Sequence, residues 1–314
     1  MGYHCRLEEP DRYFLISNRI HRGEFQFRPD GECNRILKGC LAREVARKNV
    51  RLVCYVFPSN HYHLVAGFPE GNRAAFMRDF QGEVSRRITD YRGSDGELFP
   101  KPYHSQAILD AEMLLDRISY TVNNTVRHGL VTHPEAWPGV GSIEQIREDK
   151  PLVGKWLDHN EWHNLKRRDA PPPRSEAMVE YAVDLDVPRC IPGEDETERR
   201  QTMLEAIEEG RTCFCKKAGT DCHRRPNNPD QYKNVDWRTQ QSIDEDWCDT
   251  RKACTATKAS KIADYLETRE EIDKLYRHAA EQWKKGEKAT FPVGTYPPGR
   301  AQPVDQLEAR APPN

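Results

Sequence analysis

The chain has 314 residues, of which 37% are hydrophobic and 31% are charged. Its 48 basic and 50 acidic side chains give a net charge of −2, so no global positive field holds nucleic acid and any such binding needs local basic grooves. The longest apolar runs, such as residues 52–57, are too short to cross a membrane. Ten cysteines are too dilute for a disulfide scaffold and are interpreted as reduced thiols, which predicts a cytoplasmic protein.

The first half of the chain predicts alternating strands and helices. Hydrophobic periodicity and turn residues predict strands over 13–17, 51–57, 61–68 and 106–109, and helices over 31–49, 72–90 and from Asp110 to Gly129. Gly39 weakens the first of these helices by about 1 kcal/mol. The order βαββαβα predicts an α+β fold, a ferredoxin-like split βαβ sheet that carries one added helix.

The second half predicts a mainly helical extension of unknown role, with helices over 194–209 and 258–285. The run APPPR over 170–174 predicts a stiff joint, and residues 297–314, rich in proline and polar side chains, predict a disordered tail. The expected organisation is therefore an α+β domain over 1–150, a cysteine-containing extension over 151–296 and the tail.

The cysteines of the extension are candidate zinc ligands because thiolates suit Zn²⁺. Their spacing is not a standard one, so buried or idle thiols are the default interpretation. The candidates are Cys213, Cys215, Cys222, Cys248 and Cys254.

His61 and His63 are the first residues that indicate chemistry. Side chains alternate along a strand, so both imidazoles point to one face and Tyr62 to the other. Neutral imidazoles so placed can share one divalent cation. The alternative is two surface histidines on a hairpin, since two ligands do not complete a metal site.

Tyr120 and Asn124 are the second such feature, four residues apart on the third helix and therefore neighbours on its surface. The stripe of Leu115, Ile118, Val122 and Val126 predicts the core side, which places Tyr120 on the polar side. An amide oxygen one turn from a phenol could bind the same cation and orient the phenol. Core packing is the usual role of a helical tyrosine.

These residues carry a family resemblance. The run NHYHLV over 60–65, after the strand VCYVF over 53–57, resembles the HUH motif of single-tyrosine transposases, and SYTVNNTVRHGLV over 119–131 resembles their tyrosine helix. GELFPKPYHS over 96–105 and PEAWP over 134–138 are similar to the branch called REP-associated tyrosine transposases, so the likeness spans roughly residues 1–145. Thr121, Thr125 and Pro58 stand where the family usually has Ile, Pro and Met, none of them a ligand or nucleophile position.

The resemblance implies that His61, His63 and Asn124 bind Mg²⁺ or Mn²⁺ and that Tyr120 is the nucleophile. It implies a transposase-like enzyme that cleaves and rejoins single-stranded DNA, often beside a hairpin, through a 5′-phosphotyrosine. Basic residues on or near the second helix and the tyrosine helix are candidate DNA contacts, although a solvated helix face explains any one of them equally well. They are Arg73, Arg78, Arg86, Arg87 and Arg127.

Three alternatives stay open at this point. If the core stripe holds the third helix on its own sheet, Tyr120 faces away from its own histidines and meets those of a second chain in a two-fold dimer; a monomer with a bent helix is the competing arrangement. The alternative function is a catalytically relict protein that binds single-stranded DNA or RNA hairpins. A ferredoxin-like metal or small-molecule sensor is the third.

Overall fold

The computed structural model describes residues 5–217, 229–240, 252–299 and 303–304. Its centre is an antiparallel sheet in the order β2-β3-β1-β4, extended at one edge by β5 and at the other by β8, which runs parallel to β4. The strands are β1 (Tyr13–Arg19), β2 (Arg51–Phe57), β3 (His61–Gly67), β4 (His104–Ile108), β5 (Val140–Gly141) and β8 (Cys254–Thr255). The predicted α+β class with a ferredoxin-like split sheet is confirmed.

Eight α-helices are found in the described part of the chain. They are α1 (Gly31–Arg47), α2 (Arg73–Arg92), α3 (Ala111–Val122), α4 (Asn124–Arg127), α5 (Ile143–Glu148), α6 (His159–Leu165), α7 (Glu196–Lys217) and α8 (Ala259–Lys284). The carboxylates of Asp30 and Asp110 cap α1 and α3 by accepting backbone N–H bonds from Cys33 and Met113. None of these helices is apolar enough over sufficient length to span a lipid bilayer.

The two faces of the sheet are covered by different helices. Tyr62 is fully buried against Phe80 of α2, at 5.7 Å between ring centroids, on the face that packs on α1 and α2. Its neighbour His63 points to the opposite face, where α3 crosses β2 and β3. The alternation along β3 therefore separates the face on which Tyr62 is buried from the face that carries the histidines.

The extension after residue 150 packs on the first half at several places. A hairpin of β6 (Leu152–Leu157) and β7 (Met178–Val183), which the sequence did not predict, lies on α1. A Cβ at Gly39 would sit 2.4 Å from Lys155 O and one at Gly154 2.3 Å from Lys38 O. Gly39 thus weakens α1 locally but permits this close approach. Apart from this pair of strands and β8, the regular elements described after residue 150 are helices, as predicted, and α7 packs on α3.

The largest differences between predicted and observed boundaries are in two helices. The third helix is not continuous to Gly129, because it breaks at Asn123 into α3 and α4. The helix predicted over 194–209 extends to Lys217. Within the predicted tail, Val304 is buried against Phe291 and Ala279, while residues 300–302 and 305–314 lie outside the described residues.

Candidate active site

His61 and His63 project from β3 on one side, as the alternation predicts, with ring centroids 5.2 Å apart. Burial is the main cause that lowers the pKa of His61 to about 3, and the nearby charge of His128 adds to it. Burial, with His61 second, also lowers the pKa of His63 well below its usual range. Both imidazoles are therefore neutral at physiological pH, which is the form that binds metals.

The orientation of the His61 ring is set by Asn60. Asn60 Nδ2 donates to Gly23 O at 3.3 Å, which turns its Oδ1 toward His61 Nδ1 at 2.7 Å. A neutral imidazole that donates from Nδ1 carries its lone pair on Nε2. His61 Nε2 lies 3.0 Å from Asn124 Oδ1. An imidazole nitrogen and an amide oxygen, two atom types that bind cations, thus lie side by side.

His63 adds a third donor. Its Nδ1 is buried and has no hydrogen-bond partner within the described residues. An orphaned buried nitrogen on a ring whose centre lies 5.2 Å from that of His61 fits a divalent cation, since a bound ion would satisfy it. His61, His63 and Asn124 are therefore the residues that could hold a metal here.

Tyr120 lies beside these donors in the same chain. Its ring meets His63 edge-on at 5.4 Å between centroids, and Arg127 Nη1 donates to its hydroxyl at 3.0 Å. The guanidinium groups of Arg117 and Arg127 lie 5.4 and 5.0 Å from the ring centre. The phenol is half-buried, so a ligand can reach it.

Of the two arrangements left open, the one in which Tyr120 faces away from its own histidines is not the one found, because its ring lies beside His63 of the same chain. The helical wheel assumed one buried side, but α3 is buried on two, against the sheet and against α7. The predicted stripe splits accordingly: Ile118 and Val122 join the main core, whereas Val126 packs with Trp137 and Cys215 in a separate cluster. The reason for a shared site between two chains is thereby removed.

Helix α7 packs on α3 and α4, together called the tyrosine segment, from the side opposite the sheet. Ser119 Oγ donates to Ala206 O at 2.8 Å and Asn123 Nδ2 donates to Ile207 O at 2.7 Å. Gly210 lies so close that a Cβ there would sit 1.9 Å from Ser119 Oγ. The two bonds flank Tyr120. The second is made by Asn123, the residue at which the helix breaks, so α7 fixes the position at which α4 begins with Asn124.

Sequence reasoning missed three residues of this site. Asn60 orients His61, and Arg19 stands opposite His61 in the register of β1 and β3. The His128 ring lies 5.7 Å from that of His61. His128 could have been found, because it continues the four-residue spacing of Tyr120 and Asn124. Arg19 could not, since its place depends on strand pairing.

The predicted DNA contacts divide into two groups. Arg73 and Arg87 are buried and donate to Leu7 O and Leu157 O, so they are not offered to a phosphate backbone and this expectation is corrected. Arg78 and Arg86 are exposed, each beside a carboxylate of its own helix. Arg127 is exposed next to Tyr120.

The candidate zinc cysteines that the structure describes lie in three different surroundings. Cys215 is buried beside Trp137, Cys254 is buried in the main core and Cys213 is exposed, while Cys222 and Cys248 lie outside the described residues. Across residues 5–217, 229–240, 252–299 and 303–304, no three or more His, Cys, Asp or Glu side chains are arranged to hold a metal ion. The donor set at His61 differs because it includes an amide oxygen.

Two solved structures are similar to this chain. One is a REP-associated tyrosine transposase bound to a REP hairpin, at 17% identity and a TM-score of 0.37 over 47% of this chain and 84% of that one. The other is a putative transposase from Deinococcus radiodurans, at 21% identity and a TM-score of 0.28 over 40% and 94%. No protein-family model matches the chain, and no curated protein matches it significantly. At these TM-scores neither likeness assigns a function by itself.

Proposed function

We propose that this chain is a metal-dependent, single-tyrosine DNA transesterase that cleaves and rejoins single-stranded DNA through a 5′-phosphotyrosine. The observation that carries the proposal is the convergence of a phenol, two neutral imidazoles and an amide oxygen in one chain. His61 and Asn124 meet at 3.0 Å although they are 63 positions apart in sequence, and Tyr120 packs against His63. These residues also match the motifs of the transposase family that the sequence resembles.

His61 Nε2, Asn124 Oδ1 and His63 would hold the cation, for which Mg²⁺ and Mn²⁺ are the candidates. When bound, such an ion neutralises charge on the phosphate and on the departing 3′ oxygen. The chain keeps both imidazoles neutral by burial and aims His61 through Asn60. Fixed donors of this kind need no reorganisation when substrate arrives.

Tyr120 supplies the nucleophile. Its hydroxyl oxygen attacks phosphorus, a P–O bond to tyrosine forms, and the P–O3′ bond breaks on the opposite side. The phenolic proton is lost to solvent and the leaving 3′ oxygen takes up one proton to become a 3′-OH. The number of phosphoester bonds does not change, so a second 3′-OH can reverse the step without ATP. Arg127, which donates to the hydroxyl at 3.0 Å, stabilises negative charge at this oxygen.

The substrate class follows from the same groups. A phosphodiester joined to a tyrosine needs an accessible backbone, and the half-buried phenol is open to solvent on one side. The exposed guanidinium of Arg127 can contact the backbone next to the scissile phosphate. Single-stranded DNA beside a hairpin is the substrate that the motif resemblance favours.

The test is a covalent adduct. The full chain is incubated with a pool of labelled single-stranded and hairpin oligonucleotides and with Mg²⁺ or Mn²⁺, then run on a denaturing gel. We expect a shifted band that needs metal, is lost in Tyr120→Phe and is kept in Tyr181→Phe. Tyr181 is a matched control because it is a half-buried tyrosine on β7, away from the histidines.

Two results would count against the enzyme. An adduct that persists in Tyr120→Phe would remove the assigned nucleophile. Binding of hairpins with no adduct, unchanged by chelator and by Tyr120→Phe, would favour the relict binding protein instead.

A further inference from the structure

The two halves of α8 differ in charge. Residues 259–272 carry two basic and four acidic side chains, whereas residues 274–288 carry five basic and two acidic ones. The second stretch therefore has a net charge of +3, in a protein whose total is −2. Such a local concentration of positive charge attracts a polyanion even though the whole molecule does not.

Three lysines of this stretch have no acidic partner. Lys284, Lys285 and Lys288 are exposed, and no carboxylate of the described residues forms an ion pair with them. Lys274, earlier on the same helix, is paired with Glu270 at 3.1 Å. The dipole of α8 favours cations in its last turn, which accounts for Lys284 and Lys285. It does not account for Lys288, which follows the helix.

A tryptophan directly precedes these lysines. Trp283 is 50% exposed, although indoles are usually largely buried. Its ring centre lies 6.2 Å from that of Phe291, with the planes inclined by 67°, and Phe291 in turn packs on Tyr276 at 5.4 Å. Contact with a buried aromatic side chain holds the indole in place, while about half of the residue's surface stays open to a ligand.

From this arrangement we infer that Trp283, Lys284, Lys285 and Lys288 form a second binding surface for single-stranded DNA, outside the site around Tyr120. The indole stacks on an unpaired base, and the ammonium groups contact the neighbouring phosphates. The choice of DNA as the polyanion rests on the proposed function. The binding itself needs neither a metal ion nor Tyr120.

The surface and Tyr120 belong to different parts of the molecule. Tyr120 packs against the main core, whereas Phe291, which supports Trp283, belongs to a separate cluster. Helix α8 meets the N-terminus of α3 at its own first turn, where Lys261 Nζ donates to Asp110 Oδ2 at 3.2 Å. Trp283 lies about 33 Å further along the axis of α8. A strand bound at this surface is therefore held by contacts additional to those at the phenol.

Unpaired bases distinguish this ligand from other polyanions. In a duplex the faces of the bases are stacked on one another, so an indole on the protein surface has no base face to cover. Lysines alone bind the backbone of a duplex as readily as that of a single strand. Stacking tolerates any base, since every base has a flat π-face. The surface should therefore prefer single strands to duplexes, with little preference for sequence.

The test measures affinity in the absence of chemistry. The full chain carrying Tyr120→Phe is titrated, with chelator present, into a labelled oligothymidylate of about 20 nucleotides at several salt concentrations. Adding Trp283→Ala should weaken binding about tenfold with an unchanged salt dependence, whereas Trp283→Phe, which keeps an aromatic ring, should weaken it less than about threefold. Replacing Lys284, Lys285 and Lys288 by Gln should reduce the slope of log Kd against log salt by about 2, or about 0.7 for each lost contact.

Matched controls accompany these variants. Leu275→Ala changes a residue of α8 that is 61% exposed, and the affinity should not change. Replacing Lys150, Lys155 and Lys166 by Gln removes the same net charge from three exposed lysines outside α8, and the salt dependence should not change. A duplex of the same length should bind more weakly than the single strand, and Trp283→Ala should not affect its affinity.

The remaining outcomes separate this inference from the proposed function. If Trp283→Ala and the Lys284, Lys285 and Lys288 variant bind as tightly as their parent, or if both lysine triplets have the same effect, the surface does not exist. If Trp283→Ala changes the mass of the protein in solution and not its affinity for DNA, the surface is a contact between protein chains instead. If the surface binds DNA as expected but the wild type forms no adduct with metal, the surface stands and the transesterase falls. Adduct formation with none of these losses in affinity overturns the surface alone.

Discussion

Asn123 and Asn124 are consecutive in the chain and equally buried, yet their side chains lie on opposite sides of the tyrosine segment. On the side of α7, Asn123 and Ser119 each donate to a backbone carbonyl, so donors meet acceptors. On the side of β3, Asn124 Oδ1 faces a ring nitrogen of His61, and His63 Nδ1 has no partner within the described residues. The bonds to α7 hold the segment in place, whereas the unpartnered His63 Nδ1 is a buried group that a ligand could satisfy.

This difference predicts that substitution of Asn124 mainly reduces activity, whereas substitution of Asn123 mainly reduces stability. Asn124→Ala should slow adduct formation about 100-fold or more, near 2.7 kcal/mol, because it removes a ligand while costing about 1 kcal/mol of stability. The measurement is the single-turnover rate at saturating DNA and metal. A wild-type rate in this variant would show that the amide takes no part in the chemistry.

A stronger perturbation of stability is expected at Gly210. In Gly210→Ala the new methyl group would sit 1.9 Å from Ser119 Oγ, so the free energy of unfolding should fall by about 2 kcal/mol despite the better helix propensity of Ala. Adding Ser119→Ala removes the clashing hydroxyl and should restore most of the loss in denaturant melts.

Gly82 provides the control for this experiment. It also lies within a helix, but nothing approaches a Cβ built there within 4 Å. Gly82→Ala should therefore stabilise the protein by up to about 1 kcal/mol. If both glycine variants behave alike, the close contact between α7 and α3 is not what decides the outcome.

Asn123→Ala should cost about 1–2 kcal/mol of stability, because Ile207 O loses its side-chain donor in a buried position. Its affinity for Mn²⁺ or Co²⁺ should stay close to that of the wild type, as measured by titration of the folded protein. Should Asn123→Ala and Asn124→Ala weaken metal binding equally, the assignment of Asn123 to stability and of Asn124 to metal binding is wrong.

The smallest effect is expected at the rim of the site. Arg127→Lys keeps the positive charge but loses the rigid guanidinium that bonds the Tyr120 hydroxyl, so the adduct rate should fall about tenfold, or 1.4 kcal/mol. Arg168→Lys, at an exposed arginine just after α6, should leave the rate unchanged. Equal losses in both variants would indicate general charge attraction in place of a specific contact with the phenol.

Local rules predicted much of the site. Alternation along β3 placed His61 and His63 together, four-residue spacing placed Tyr120 next to Asn124, and the capping aspartates set the start of two helices. These features depend on neighbours in sequence. The same spacing extended by one turn would have found His128.

What could not be predicted depends on contacts distant in sequence. A helical wheel assumes one buried side, and the docking of α7 on α3 gave the tyrosine segment two, which turned Tyr120 toward its own histidines. From the sequence, Gly39 indicated only a loss of helix stability in α1. Its close contact with Lys155 O depends on where β6 packs, which the sequence does not predict. The burial of Arg73 and Arg87 likewise depends on which chain segments cover them.

The position of α7 late in the chain has a consequence for biosynthesis. A ribosome makes Tyr120 and the residues His61, His63 and Asn124 by position 124, but the carbonyls that anchor Ser119 and Asn123 belong to residues 206 and 207. Chains emerge from the ribosome N-terminus first, and domains fold as they emerge. The nascent protein therefore carries these four side chains while more than eighty further residues are translated, before α7 can bind Ser119 and Asn123. Full assembly of the site is thereby tied to completion of α7.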